Sequence, residues 1–204
     1  MTTINNTFSF FGKGVFIQDK GEWVLRKRPL QSVDIAWVYN YIISERAREA
    51  TEGLRAMPTT ATKTEKGNYK KANFEYVTFS GIFPYRDATS LEMRSPYVCL
   101  DIDDLSSTEE ARKIQRMLCQ DRNLVTVLCF VSPRGVGVKW IVELPEWTQG
   151  LTFLSQWYKL RNHLAFQYGL KADPTGKDVC RACFLPCDNE CYINPKYQDN
   201  NLKS

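Results

Sequence analysis

The sequence predicts one α+β unit whose core elements follow the order β-α-β-β-α-β. Of its 204 residues, 43% are hydrophobic and 25% are charged, which is the composition of a globular chain. Short apolar runs rich in β-branched and aromatic residues alternate with two amphipathic stretches of helical period. Gly, Pro and Ser clusters separate these segments, as they do at turns. The length allows one well-buried core.

Residues 1–73 are predicted to form a β-rich and helical N-terminal extension packed on the core. Three glycines between residues 12 and 21 punctuate apolar runs, a pattern typical of short strands joined by tight turns. Asp34 precedes an amphipathic stretch and should begin a helix that ends near Leu54. The polar, basic and Thr-rich segment 57–73 is predicted to be a loop.

Residues 74–204 are predicted to form the core. Ser107, followed three residues later by Glu110, is a capping-box signature for its first helix. The predicted core elements are strand 97–103, a helix from Ser107 to about Cys119, strands 124–131 and 135–144, helix 149–168 and a short strand from about Arg181 to Leu185, with strand 74–81 before them.

This element order is that of the ferredoxin-like fold, which RNA-recognition domains share. The first and third strands should lie side by side at the centre of an antiparallel sheet. The two helices should cover one face, which leaves the other face free to carry a site. An RNA-recognition domain would place stacking aromatics on these central strands. Here Asp101 and Asp103 occupy that region.

Asp101 and Asp103 are the first candidate site residues. Side chains two apart on a strand share a face, so the two carboxylates should be neighbours and repel each other. A divalent cation relieves that repulsion, and carboxylate oxygens suit Mg²⁺ or Mn²⁺. The alternative is a solvated strand end that begins a turn.

A glycine-rich segment, SPRGVGVK, lies at the start of the third core strand. Its turn amides, with Arg134 and Lys139, could hold a triphosphate. A plain glycine-rich hairpin is the alternative. The members of this candidate nucleotide site are Ser132, Arg134, Gly135, Gly137 and Lys139.

A third segment, residues 171–181, supplies further charged groups. Asp173 could complete a three-carboxylate metal site, and Arg181 could face a phosphate. Asp173 before Pro174 is also a common way to start a turn. An ion pair between Asp178 and Arg181 would be worth little at the surface.

Four of the seven cysteines, Cys180, Cys183, Cys187 and Cys191, crowd together near the end of the chain. Their spacing suggests a zinc site, but the apolar residues between them favour cysteines that simply pack in the core. The net charge of +4 permits a polyanionic partner, and the basic run from Lys63 to Lys71 could follow a nucleic-acid backbone or be an ordinary solvated surface. Residues 1–11 show no signal peptide and no segment is apolar enough to span a membrane, so a cytoplasmic location is expected.

Taken together, the ordered segments resemble the archaeo-eukaryotic primase superfamily. CLDID, 99–103, resembles its apolar run ending in DxD. SPRGVGVK resembles its Ser-Gly-x-Gly-x-His nucleotide motif, and ADPTGKDVCRACFLP, 172–186, its third motif. More narrowly, the chain is similar to the VirE N-terminal-type primase-like module of bacterial mobile elements.

This resemblance implies a nucleotidyltransferase with primase or polymerase activity in the replication of a mobile element. Asp101, Asp103 and Asp173 would be the catalytic, metal-binding acids, with Mg²⁺ or Mn²⁺ as cofactor. Partners would be a nucleoside triphosphate, a single-stranded template and a separate helicase. Lys139 stands where the motif has histidine, so a catalytically degenerate module that binds nucleic acid or a helicase remains an alternative. A DxD sugar transferase and a zinc-stapled interaction domain are further alternatives.

Overall fold

The computed structural model describes residues 5–198. The first four residues of the predicted extension and the last six of the predicted core lie outside the described residues. The prediction that residues 1–11 hold no signal peptide therefore falls partly on residues without a described structure. In the described part of the chain, no helix combines the length and the apolar character needed to cross a membrane.

The predicted α+β class is confirmed, with five α-helices and antiparallel sheets among residues 5–198. The helices are α1 Ile35–Ile43, α2 Arg48–Arg55, α3 Lys63–Asn73, α4 Thr108–Leu118 and α5 Phe153–Tyr168. The strands are β1 Phe8–Phe11, β2 Val15–Ile17, β3 Glu22–Val24, β4 Gln31–Val33, β5 Tyr76–Thr78, β6 Gly81–Ile82, β7 Met93–Arg94, β8 Tyr97–Ile102, β9 Thr126–Val131, β10 Val138–Glu143, β11 Cys183–Phe184 and β12 Tyr192–Ile193.

The core sheet has the strand order β12-β9-β10-β8, and α4 and α5 pack on one of its faces. The first and third predicted strands, β8 and β10, are antiparallel neighbours, and Lys139 pairs with Asp101 in their register. However, β8 lies at the edge of the sheet rather than at its centre. The strand order therefore differs from that of a ferredoxin-like sheet.

The last strand accounts for this difference. The predicted strand from Arg181 to Leu185 is reduced to β11, which pairs with β5 in a second sheet. The fourth place in the core sheet goes to β12, which pairs with β9. Both sheet edges offer unpaired backbone groups, and alternation along a sequence does not tell which edge a short strand will take.

The second sheet has the order β11-β5-β1-β4 and covers, together with α1, the face of the core sheet that was predicted to be free. Phe8 and Val77 from this sheet pack in one cluster with Phe130 and Ile141 from the core sheet. The expectation of an open face was therefore wrong. The candidate site lies instead at the margin of this covered face, where β8 ends.

Two helical predictions were also revised. Asp34 caps α1 as expected, by accepting a hydrogen bond from the Trp37 amide at 2.8 Å, but the helix ends at Ile43 and α2 follows as a separate helix. Segment 57–73 is largely α3 rather than a loop. Thr62 and Glu65 form a reciprocal capping box at its start. The helix has no buried residue, so it lacks the apolar stripe by which helices are recognised.

Candidate functional site

Three carboxylates meet at the end of β8. Asp101 lies in this strand, Asp103 follows it, and Asp173 caps a short 3₁₀ turn that covers Pro174–Lys177. The Asp173 amide donates to the Asp101 carbonyl oxygen at 2.7 Å and holds the turn against the strand. One oxygen from each carboxylate can be chosen such that all three lie within 4.8 Å of one another. The structure thus brings together the three acids that the sequence singled out.

The properties of Asp101 fit a metal ligand. Only 13% of its side chain is exposed, and its Oδ1 atom is buried without a hydrogen-bond partner among the described residues. Burial raises the pKa of Asp101, Lys139 opposes that rise, and Asp103 adds to it. A buried carboxylate oxygen without a partner beside two further carboxylates is an oxygen-rich donor set of the kind that Mg²⁺ or Mn²⁺ prefers. The acids therefore fit a divalent cation.

Lys139 is the direct neighbour of Asp101 across the β8–β10 pair, and its Nζ forms an ion pair with Asp101 Oδ2. Only 12% of the lysine side chain is exposed. Burial is the largest single influence and would lower its pKa, but the negative charge of Asp101, with smaller contributions from Cys183 and Asp103, raises the pKa overall. Lys139 therefore stays positively charged at neutral pH and holds one of the two Asp101 oxygens.

The glycine-rich segment forms a tight turn against the acids. The Ser132 amide donates to the Gly137 carbonyl at 2.8 Å, and the Gly135 amide donates to the Ser132 carbonyl at 2.8 Å. A Cβ at Gly137 would lie 2.6 Å from the Ile102 carbonyl oxygen and 3.0 Å from Asp103 Oδ1. The close approach that this glycine allows is therefore to the acid-bearing strand. Ser132 Oγ is buried without a partner among the described residues.

The other two acids also have basic partners. Arg134 lies 3.3 Å from Asp103 Oδ1 and 3.0 Å from Asp104 Oδ1, and Arg181 lies 3.3 Å from Asp173 Oδ2. Burial favours the protonated form of Asp173, but hydrogen bonds from Thr175 and the charge of Arg181 lower its pKa overall. Asp173 is therefore ionised at neutral pH.

Two depressions lie beside the acids, and α3 contributes residues to both. The first, the basic cleft, has a volume of about 380 Å³, within the range of small-molecule sites. The second, the α3 groove, is larger, at about 680 Å³. The basic side chains of the basic cleft are Lys70, Lys71, Arg86, Arg134, Lys139 and Arg181, and its acids are Asp101, Asp103 and Asp178.

Three basic residues of the cleft, Lys70, Lys71 and Arg86, were not predicted as nucleotide-site members, although Lys70 and Lys71 lie in the basic run that was considered for a nucleic-acid backbone. Arg86 follows the β6 strand, and its Nε atom is buried without a partner among the described residues. Lys70 comes from α3, and its pKa is lowered by burial and then by the charges of Lys139 and Arg134. The Thr62–Glu65 capping box could have revealed α3 and therefore the position of Lys70. Arg86, with TFSGIF at 78–83, was among the residues that carried the resemblance to the VirE N-terminal-type module, but the sequence analysis gave it no role as a ligand.

The predicted zinc alternative finds no support. Across residues 5–198, the one group of three or more His, Cys, Asp or Glu side chains with suitably close ligand atoms is the acid trio. Cys183 and Cys191 pack in the cluster between the two sheets, Cys187 packs against that cluster, and the Cys180 thiol donates to Asp178 Oδ1 at 3.2 Å. Three of the four late cysteines therefore contribute to packing.

A sequence model for one protein family, described as BT4734-like, N-terminal domain, matches residues 69–193. No curated protein and no solved structure matches the chain. The matched segment contains every predicted site residue. The predicted membership in the archaeo-eukaryotic primase superfamily, with the VirE N-terminal-type module as its nearest group, was wrong, because the family that matches is a different one.

Proposed function

This chain belongs to the family of BT4734-like N-terminal domains, and we propose that its acidic site is the centre of a metal-dependent nucleotidyltransferase that acts on a nucleoside triphosphate and a nucleic-acid strand. The observation that carries this proposal is the position of the acid trio, which lies directly beside a cleft lined by six basic side chains. Carboxylates that hold cations, next to cations that hold phosphates, are the two requirements of phosphoryl transfer.

In this proposal, Asp101, Asp103 and Asp173 hold Mg²⁺ or Mn²⁺. The chemistry that such cations supply is activation of a hydroxyl nucleophile and stabilisation of the leaving pyrophosphate. The protein orients its ligands through the backbone bond from Asp173 to Asp101 and through the turn that packs Gly137 on the strand. These contacts fix the carboxylates before substrate arrives, so little reorganisation is needed during the reaction.

The basic cleft would hold the triphosphate. Lys70 and Arg86 have capacity to donate, because the ion pairs around the acids in the described structure use Lys139, Arg134 and Arg181. Arg86 Nε in particular is buried without a partner, and a phosphate oxygen would satisfy it. Arg181 lies between Asp173 and the cleft and can exchange its carboxylate partner for a phosphate. These groups would neutralise the charge that develops on the departing pyrophosphate.

The test is incorporation of labelled nucleotides on single-stranded DNA and RNA templates with Mg²⁺ or Mn²⁺. The wild-type protein should give metal-dependent products, and Asp101→Ala should reduce them to background. Asp19→Asn is the control, because Asp19 is an exposed acid that lines neither depression beside the acid trio. Its products should be close to those of the wild type.

A second candidate function is a nucleic-acid- or helicase-binding module without catalysis. The ion pair between Lys139 and Asp101 favours it, because the lysine already neutralises one of the acids. Absence of products in the same assay, with nucleic-acid binding intact, would support this alternative and reject the nucleotidyltransferase. Retained activity in Asp101→Ala would reject the metal-ligand assignment.

The wider biological setting remains a prediction. A role in the replication of a mobile element, a separate helicase as partner and a cytoplasmic location are compatible with this proposed activity. Co-purification of the chain with a helicase would test the partner directly.

A further inference from the structure

Gly67 is a helical residue that the fold does not require to be glycine. It lies in the middle of α3, where glycine costs about 1 kcal/mol of helix stability relative to alanine. A Cβ at Gly67 would meet no atom within 4 Å. Gly53 in α2 differs, because a Cβ there would lie 2.2 Å from the hydroxyl oxygen of Tyr69. Packing between α2 and α3 explains Gly53, whereas nothing in the described structure explains Gly67.

Gly67 lies on the face of α3 that turns toward the acids. Lys63 and Lys70 are four and three residues away from Gly67 along the helix, so they share its face, and Lys66 is its direct neighbour in the chain. All four residues line the α3 groove, and Gly67 and Lys70 also line the basic cleft. The unused space over Gly67 is therefore the space through which a ligand would reach the acids.

The α3 groove has the charge pattern of a surface for an extended polyanion. The α3 lysines, Arg134 and Lys171 supply five basic side chains, which outnumber the three acids of the groove, Asp103, Asp104 and Asp173. Its α3 lysines run from Lys63 to Lys70, about 10 Å at 1.5 Å per residue, rather than being gathered at one point. Lysines spaced in this way suit the repeating phosphates of a nucleic-acid backbone.

We propose that the α3 groove binds the sugar–phosphate backbone of a single-stranded nucleic acid, and that Gly67 is kept without a side chain so that the backbone can lie against α3. The role of this strand as primer or template rests on the proposed function. The inference adds that the strand lies in the α3 groove. Binding itself needs neither metal nor catalysis. The basic cleft, which adjoins the groove at Gly67 and Lys70, stays available for the triphosphate.

The test measures the affinity of labelled single-stranded oligothymidylate and oligouridylate by fluorescence anisotropy in the presence of EDTA. Gly67→Leu, which extends a side chain into the groove and favours a helix, should weaken binding at least tenfold. Lys66→Ala should also weaken it, and it should reduce the magnitude of the slope of log affinity against log salt by about 0.7, the value for one phosphate contact to a single strand. Lys113→Ala, on exposed α4, is the matched charge control and should leave both quantities unchanged.

Thermal unfolding of each variant serves as the check on folding, and Gly67→Ala should unfold at a higher temperature than the wild type. Wild-type affinity in both Gly67→Leu and Lys66→Ala would overturn the proposal, and so would absence of strand binding by the wild type. Loss of inorganic triphosphate binding in Gly67→Leu with strand binding intact would overturn it as well. Strand binding as expected without nucleotide incorporation would reject the proposed enzyme and leave the strand site standing.

Discussion

Lys139 and Asp101 occupy facing positions on β10 and β8 and form an ion pair that is almost completely withdrawn from solvent. This ion pair matters for both stability and the proposed activity, because the Asp101 carboxylate also belongs to the acid trio. A buried charge pair is strongly destabilised when one partner is removed, since the other is left without compensation. The contribution of Lys139 can therefore be measured separately from that of the metal.

Lys139→Met should lower the free energy of unfolding by about 3 kcal/mol at neutral pH, because it leaves Asp101 buried without its partner. Denaturant unfolding of the single variants and of the double variant Lys139→Met/Asp101→Asn measures this. The double variant should be more stable than the sum of the two single changes predicts, because neither charge is left alone. Strict additivity would show that the pair contributes nothing to stability.

Lys70→Met should weaken nucleoside triphosphate binding at least tenfold while it stabilises the free protein. Lys70 is half-buried, takes part in none of the ion pairs of the basic cleft in the described structure and lies near Lys139 and Arg134, so its charge is unfavourable without a ligand. We expect a gain of about 0.5–1 kcal/mol, typical of a site where function costs stability. Calorimetric titration and thermal unfolding test the two effects. Lys71→Met gives the comparison with its neighbour, and a destabilised Lys70→Met would contradict the prediction.

Metal binding should weaken as the pH falls, and the weakening should begin at a higher pH than for carboxylates with an ordinary pKa. Burial raises the pKa of Asp101 and Lys139 opposes this shift only in part, so a proton competes for this carboxylate above the usual value of about 3.9. Binding of Mn²⁺, followed by electron paramagnetic resonance from pH 7 to pH 4, is the measurement. In Asp101→Asn the residual binding should lose this pH dependence. An unchanged pH dependence would assign the titration to another group.

Asp121 should stabilise the fold at neutral pH but not in acid. Its buried carboxylate lies 2.7 Å from both His163 Nε2 and the Tyr168 hydroxyl, and accepts from the amides of Asn123 and Leu124. Burial raises its pKa, but these hydrogen bonds outweigh burial and lower it overall. Because the pKa of Asp121 is lower in the folded than in the unfolded protein, the ionised carboxylate stabilises the fold at any pH above its unfolded-state pKa, near 3.9. This stabilisation is lost as the pH falls through the lower pKa of the folded state.

Asp121→Ala should therefore reduce the free energy of unfolding by about 1–3 kcal/mol at pH 7, the range for losing hydrogen bonds to a charged group. The difference from the wild type should shrink below about pH 4, where the carboxylate becomes protonated. Denaturant melts at pH 7 and pH 3 test this. Asp19→Ala, an exposed acid, should have little effect at either pH. An equal loss at both pH values would point to packing instead of charge.

The local patterns of this sequence were sufficient for most elements and for the acid trio. Asp34 and Ser107 cap helices as their positions predicted, and alternation along β8 placed Asp101 and Asp103 on one face. These features depend on neighbours within a few residues, so they can be read directly from the chain. The sequence analysis did not predict α3, because this helix has no stripe of buried apolar residues, although its capping box could be read from the sequence.

What the sequence alone determined is the α+β class and the identity of the acids and glycines at the end of β8. Tertiary structure alone decided that β11 joins β5 and β12 joins β9, that a second sheet covers the face expected to be free, and that α3 brings Lys70 to the acids. The physical reason is that edge pairing and helix docking depend on surfaces contributed by distant segments. Short strands and polar helices carry too little local signal to choose among those surfaces.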